Sequence, residues 1–276
     1  MYPETQERNY QRLLLRKLRA LTDEFVRRLK ARNLLTKKIR RKDDEGDDEN
    51  ENWSDELEIE VDILIAWWLE SVQDLEAALV ILFAQISLFN DRQFRAAIRG
   101  LVGVHLPQSK SLSYAPGELV TPTLQARATL GDTADIERME KYIEAMRKNF
   151  VASGGTAIDR IGENFIAVSV RELRRSVTQG EAINDIVTAI RNRAATMENQ
   201  ALLAGRSEVA ALDGELTMRR QLSVGIADYT WLTRRDERVR PAHRLLDGTR
   251  QLWAVVPPTG HPGQAHLCRC RAMPVK

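Results

Sequence analysis

The side chains best suited to chemistry crowd the C-terminal end of the chain. The stretch HPGQAHLCRC, His261 to Cys270, holds both cysteines and two of the four histidines in 276 residues. His243 lies just upstream, within RRDERVRPAHRLLDG. Thiolate and imidazole are the ligands zinc prefers, usually in sets of four. His243, one of His261 or His266, Cys268 and Cys270 would make such a set. A small module with few core residues gains most from a metal staple. Cys-x-Cys is nevertheless a less common chelate than Cys-x-x-Cys. The competing expectation is that both cysteines are small buried hydrophobes. His243 would then hydrogen-bond Asp236 and lock a turn. That packed arrangement is the favoured reading, and zinc is the alternative cofactor.

A bridge between Cys268 and Cys270 would be strained. Disulfides therefore do not staple this fold, and a reducing compartment fits. His243 with Cys268 could formally form a nucleophile pair. There is no P-loop, no G-x-S-x-G and no HExxH, so no catalytic residue is assigned and no enzyme is expected. Asp236 and Arg240 stand four apart, the spacing of a local ion pair on a helix. Arg234, Arg235, Arg238, Arg269 and Arg271, with Arg244, Arg250 and Lys276, could neutralise DNA phosphates. Trp231 and Trp253 could stack on bases, although core packing suits them better. Protein contact or solvation is the favoured fate of the arginines.

The elements that must position these residues are mostly helical. The chain is 43% hydrophobic and 29% charged, with a net charge of only +2, an ordinary soluble composition. The charge is unevenly spread. Residues 1–42 read as a basic amphipathic helix with Leu14, Leu18, Leu21, Phe25 and Leu29 at helical spacing. Residues 43–56 form an acidic linker. Residues 57–219 read as a helical body. Leu57–Ile63 alternates like a strand, but the longer stretch to Phe89 favours a buried helix. Its most apolar run, Ala77–Phe89, is too short to span a bilayer, so no membrane partner is expected. The first ten residues have no apolar signal core. Residues 106–131 mix Pro, Gly, Ser and Thr as an extended loop or arm. His105, at its edge, reads as a core or loop histidine.

Helical spacing resumes at Ile136, Met139, Ile143, Met146 and Phe150. Gly154-Gly155 should break it, and Thr178-Gln179-Gly180 should turn the chain. A helix from Ile183 to Met218 should be interrupted at Gly205 and Gly214. From residue 220 the texture becomes that of a small α+β module. No internal repeat is visible. The fold class is thus mainly α, with a multi-helix body, an extended arm, an acidic linker and the C-terminal α+β module at 220–276.

The order of features in the last part of the chain is specific. Gly205-Arg206-Ser207-Glu208 precedes Gly225, Tyr229 and Trp231. Then come Thr233-x-x-Asp236-x-x-Val239-Arg240-x-x-His243 and Asp247-Gly248. His261-Pro262 follows, then Cys268-Arg269-Cys270-Arg271-Ala272-x-Pro274-Val275. This resembles the C-terminal domain of phage Mu F-like minor head proteins, the phage head-morphogenesis family. Ser207 stands where threonine is usual. The segment from His261 to Cys268 is longer than the tight H-P-x-C-R-C form, which leaves open whether His261 or His266 takes the family histidine's role. The resemblance covers about the last 75 to 100 residues. It implies a structural protein of the virion, in the head interior or at the portal vertex, assembled in the host cytoplasm. It implies the portal protein as partner, with the major capsid or scaffold protein and phage DNA as further contacts, and it implies no known catalysis. The alternative is a zinc-containing nucleic-acid-binding protein or nuclease.

Overall fold

The computed structural model describes residues 2–35, 47–73, 75–102 and 133–275. His105, the arm at 106–131, the first residues of the acidic linker and Lys276 lie outside these. The elements run α1 (Glu4–Ala31), α2 (Asp47–Gln73), α3 (Leu75–Val102), α4 (Thr133–Gln179), α5 (Ile183–Ser223), β1 (Asp228–Leu232), α6 (Pro241–Leu245), β2 (Arg250–Leu252) and β3 (Arg271–Pro274). The described residues are mainly helical with a small antiparallel sheet near the C-terminal end, as the sequence pattern predicts.

Two compact units divide the chain. One comprises Met1–Asn9, Leu79–Ala152 and Gly205–Lys276; the other comprises Tyr10–Ala78 and Ser153–Ala204. The expected boundary at residue 220 is therefore not a unit boundary, because the last turns of α5 pack with the C-terminal module.

The second unit is a helical core. Leu14, Leu18, Leu21, Phe25 and Leu29 of α1 are all buried, the apolar stripe that their spacing encodes. Glu4 and Glu7 in the first turn and Arg28 and Lys30 in the last complement the helix dipole. The apolar face of α1 is thus spent on the chain's own core. Phe25 meets Phe165 edge-on at 6.3 Å. Part of the expected acidic linker, from Asp47 on, is helical. Carboxylates suit a helix N-terminus, and Trp53 anchors this one, buried and donating Nε1–H to the Leu34 carbonyl.

α4 runs unbroken through Gly154-Gly155. Two glycines cost a helix roughly 1 kcal/mol each, which the buried seam of Ile143, Phe150, Ile158, Phe165 and Leu173 outweighs. Gly162 on the same helix has a packing purpose. A Cβ there would lie 2.1 Å from the buried Trp68 ring. The expected turn is present, with Gly180 at φ +68°. A window within Asn52–Leu101 is long and apolar enough to cross a bilayer by composition, so the apolar stretch is broader than Ala77–Phe89. Many of its apolar residues, Leu64, Trp68, Leu75, Leu79 and Phe83 among them, are buried in the protein.

The first unit holds the candidate site. Phe83 of α3 packs against Phe150 of α4 at 6.1 Å. α5 is continuous through Gly205 and Gly214. Gly214 is not a breaker but a point of close approach. Its Cβ would lie 2.3 Å from the Pro262 carbonyl, and a Cβ on Gly263 would lie 2.4 Å from the Ala210 carbonyl. The sheet is antiparallel, ordered β2-β1-β3, with Tyr229 opposite Gln251 and Trp231 opposite Ala272. Alternation along β1 turns Tyr229 and Trp231 to the same buried face.

Candidate functional site: a histidine and two cysteines beside an arginine-lined cavity

β1 supplies the floor of the site. Tyr229, Trp231, Trp253, Cys268, Cys270 and Ala272 form one buried cluster. Tyr229 and Trp253 stack at 4.2 Å, so both tryptophans are core residues, as expected. Cys268 and Cys270 lead into β3. Two-residue alternation puts both thiols on the inner face and Arg269 on the outer one. His243 comes from α6, a five-residue helix with Pro241 in its first turn, where the missing N–H costs nothing. Its imidazole stands edge-on to Trp231 at 5.4 Å and 85°, which sets the ring's direction.

These placements bring three predicted ligands together and leave two outside. His243 Nδ1 lies 3.5 Å from Cys270 Sγ and 3.6 Å from Cys268 Sγ. The three ligand atoms lie within 4.8 Å of one another. The two sulfurs are hydrogen-bonded to each other. That bond pulls Cys268 below the usual thiol range and pushes Cys270 above it. His261 instead packs against Trp253 at 5.0 Å, with Nδ1 2.9 Å from the Tyr229 hydroxyl. Burial pushes its pKa below the imidazole range. His266 Nδ1 lies 2.9 Å from Ser207 Oγ. Neither histidine completes a four-ligand set with His243, because each already serves as a brace elsewhere.

Asp236 departs from both expectations placed on it. It is neither the partner of His243 nor of Arg240. It accepts from Arg269 at 2.6 Å and from the Arg238 backbone N–H at 3.2 Å. Desolvation is outweighed by the Arg269 bond, and its carboxyl stays below the usual range. The reason is local: residues 233–240 are not helical, so a four-residue spacing does not bring side chains together. Arg240 is left to reach the His266 carbonyl at 2.5 Å. On the other side of the same loop, the Leu267 N–H donates to Ser207 Oγ at 3.1 Å. Leu267 sits at φ +57°, a strained conformation for leucine, and these two bonds hold it. Ser207 thus fixes the residue that aims Cys268.

Asp247 caps the β1 exit. It accepts from the Thr233 backbone N–H at 2.8 Å and from Arg235 at 3.0 Å, and these bonds lower its pKa. Gly248, at φ +78°, turns the chain back and donates to the Trp231 carbonyl at 2.8 Å. Of the candidate DNA-binding residues, Arg234 pairs with Glu4, Arg235 with Asp247 and Arg269 with Asp236. Arg271 lies in β3, opposite Leu232. Arg238 lines a cavity of about 170 Å³ with Arg206, Arg234, Arg240 and Arg269, and His243, Cys268 and Cys270 form its inner wall.

Two contributors escape a motif reading. Gln221 accepts the Trp253 indole N–H at 2.9 Å and donates to the Ala272 carbonyl at 3.0 Å, tying α5 to the module. Deeper in the unit, buried Arg220 bonds Asn90 and the Ser87 hydroxyl and carbonyl. Asn90 in turn donates to Asp213 Oδ1 at 2.8 Å. Burial raises Asp213 to about 6 and pulls Arg220 down to about 10. A polar residue on a helix carries no local signal that it will be buried.

Residues 170–273 match the family described as Phage Mu protein F like protein. The C-terminal region is Mu F-like. The match runs from within α4 to β3 and takes in every motif residue discussed above from Gly205 to Met273. Comparison with curated proteins and with solved structures gives no match.

Proposed function

We propose that this Mu F-like chain is a minor head protein of a tailed phage, acting in head morphogenesis as a structural rather than a catalytic component. It associates with the portal protein and resides at the portal vertex or in the head interior after assembly in the host cytoplasm. The observation that carries this reading is the ordered family match over residues 170–273. The geometry supports it, since the motif residues Asp236, Arg240, Asp247 and Gly248 each brace their own module. The major capsid or scaffold protein and phage DNA are further contacts. This reading does not draw on the apolar stripe of α1, which is buried in the protein itself.

The test is crosslinking mass spectrometry on intact particles. Crosslinks from this chain to the portal support the assignment, and absence of the chain from the particle overturns it. The second reading, a nucleic-acid-binding protein or nuclease, draws on the arginine-lined cavity beside His243. The acidic partners of Arg234, Arg235 and Arg269 weigh against it. Cleavage of duplex DNA in the presence of a divalent ion, abolished by His243→Ala, would favour that second reading.

A further inference from the structure

The His243, Cys268 and Cys270 cluster has a geometry that packing alone does not require. A single imidazole N–H points along one line and serves one sulfur well. Here one ring nitrogen faces two sulfurs, at 3.5 and 3.6 Å. A zinc ion about 2.1 Å from nitrogen and about 2.3 Å from sulfur, with tetrahedral angles, sets the N···S edge at roughly 3.6 Å. Both observed edges have that length. We propose that His243 Nδ1, Cys268 Sγ and Cys270 Sγ bind one zinc ion. The fourth position opens on the arginine-lined cavity and takes an exchangeable oxygen donor, water or an anion.

Charge and hydrogen bonding favour the site. Two thiolates and Zn²⁺ sum to zero, which a buried pocket tolerates far better than a lone thiolate. Binding releases to solvent whatever protons the two sulfurs hold, with no change of oxidation state. The Gly263 N–H already lies 3.5 Å from Cys268 Sγ. The Trp231 indole N–H is buried and makes no hydrogen bond to oxygen or nitrogen. Such N–H groups stabilise metal-bound sulfur. Trp231 also orients the His243 ring. Among the described residues this is the group of histidine, cysteine and carboxylate side chains placed to hold an ion. Among the described residues no further histidine, cysteine or carboxylate joins the three, which leaves the fourth position to an exchangeable donor. The arginines on the cavity wall suit an anion there.

The experiment is a Co²⁺ titration of the reduced full-length chain, followed by absorption spectroscopy, with folding checked by circular dichroism in the same samples. Thiolate-to-cobalt charge transfer and intense tetrahedral d–d bands, saturating near one equivalent and bleached by Zn²⁺, are expected. Folded wild-type protein without a saturating charge-transfer band overturns the proposal, whatever the variants do. Cys268→Ser and Cys270→Ser should each weaken the charge-transfer band by about half or more. His266→Gln should keep it, and its loss in a folded His266→Gln chain overturns this ligand set. Inorganic phosphate should shift the d–d bands. An unchanged spectrum overturns an anion as the fourth ligand.

Discussion

The helical core around α1 and α4 and the module around β1 reach order by different routes. The helical core is built from long apolar seams, where Phe25, Trp68 and Phe165 are buried among leucines. The module is small, and its core is aromatic rings, two thiols and a histidine. Its loops are held by side-chain bonds such as Ser207 to Leu267 and Asp247 to Thr233. The difference teaches where information resides. A seam tolerates local defects, so α4 passes through two glycines. A small module has little apolar area to spare, and single polar contacts carry its shape.

Truncating one tryptophan in each region should show this most strongly. Trp68→Ala and Trp231→Ala should each cost about 4 kcal/mol in urea denaturation, as large-to-small core changes do. Only Trp231→Ala should also speed the reaction of Cys268 and Cys270 with a thiol reagent. Equal thiol reactivity in both variants would show that the cysteines do not share the Trp231 core.

The buried polar network should give the next largest effect. The folded chain keeps the Asp213 proton up to about pH 6, while an unfolded aspartate loses it near ~3.9. The native state therefore binds more protons between these values. Stability should fall as pH rises through that window, by up to about 3 kcal/mol, and recover on acidification. Desolvation sets the Asp213 value, already held down by Asn90, Arg220 and Arg271. Asp213→Asn should flatten this part of the profile in denaturation series across pH.

Two glycine substitutions should differ in sign. Gly263→Ala, at φ +90° and against the Ala210 carbonyl, should destabilise by about 2 kcal/mol. Gly155→Ala, in open space on α4, should stabilise by roughly 0.5–1 kcal/mol. Thermal melts of the two variants would break the comparison if both moved the same way. Smallest, Ser207→Ala should cost about 1 kcal/mol through the lost bond to Leu267. Ser207→Thr, which keeps the hydroxyl, should cost less in the same melt.

Much of this was legible in the chain itself. Spacing alone located α1 and the seam of α4, because amphipathic period is a local property, and Thr178-Gln179-Gly180 marked the turn. Composition and order of motif placed the α+β module and its Mu F-like character. Residue types also named His243, Cys268 and Cys270 as companions. What the sequence could not do was choose among partners. It offered His261 and His266 as equal candidates, and the fold gave one to Tyr229 and the other to Ser207. It paired Asp236 with Arg240 or His243, and the fold paired it with Arg269, 33 positions away. It read Gly214 as a breaker, and the fold used it to admit the Pro262 carbonyl. It gave no sign that Asp213 and Arg220 would be buried. Periodicity is set by neighbours along the chain, whereas partner choice, burial and close approach depend on which distant segments arrive at the same place. Only the tertiary structure decides that.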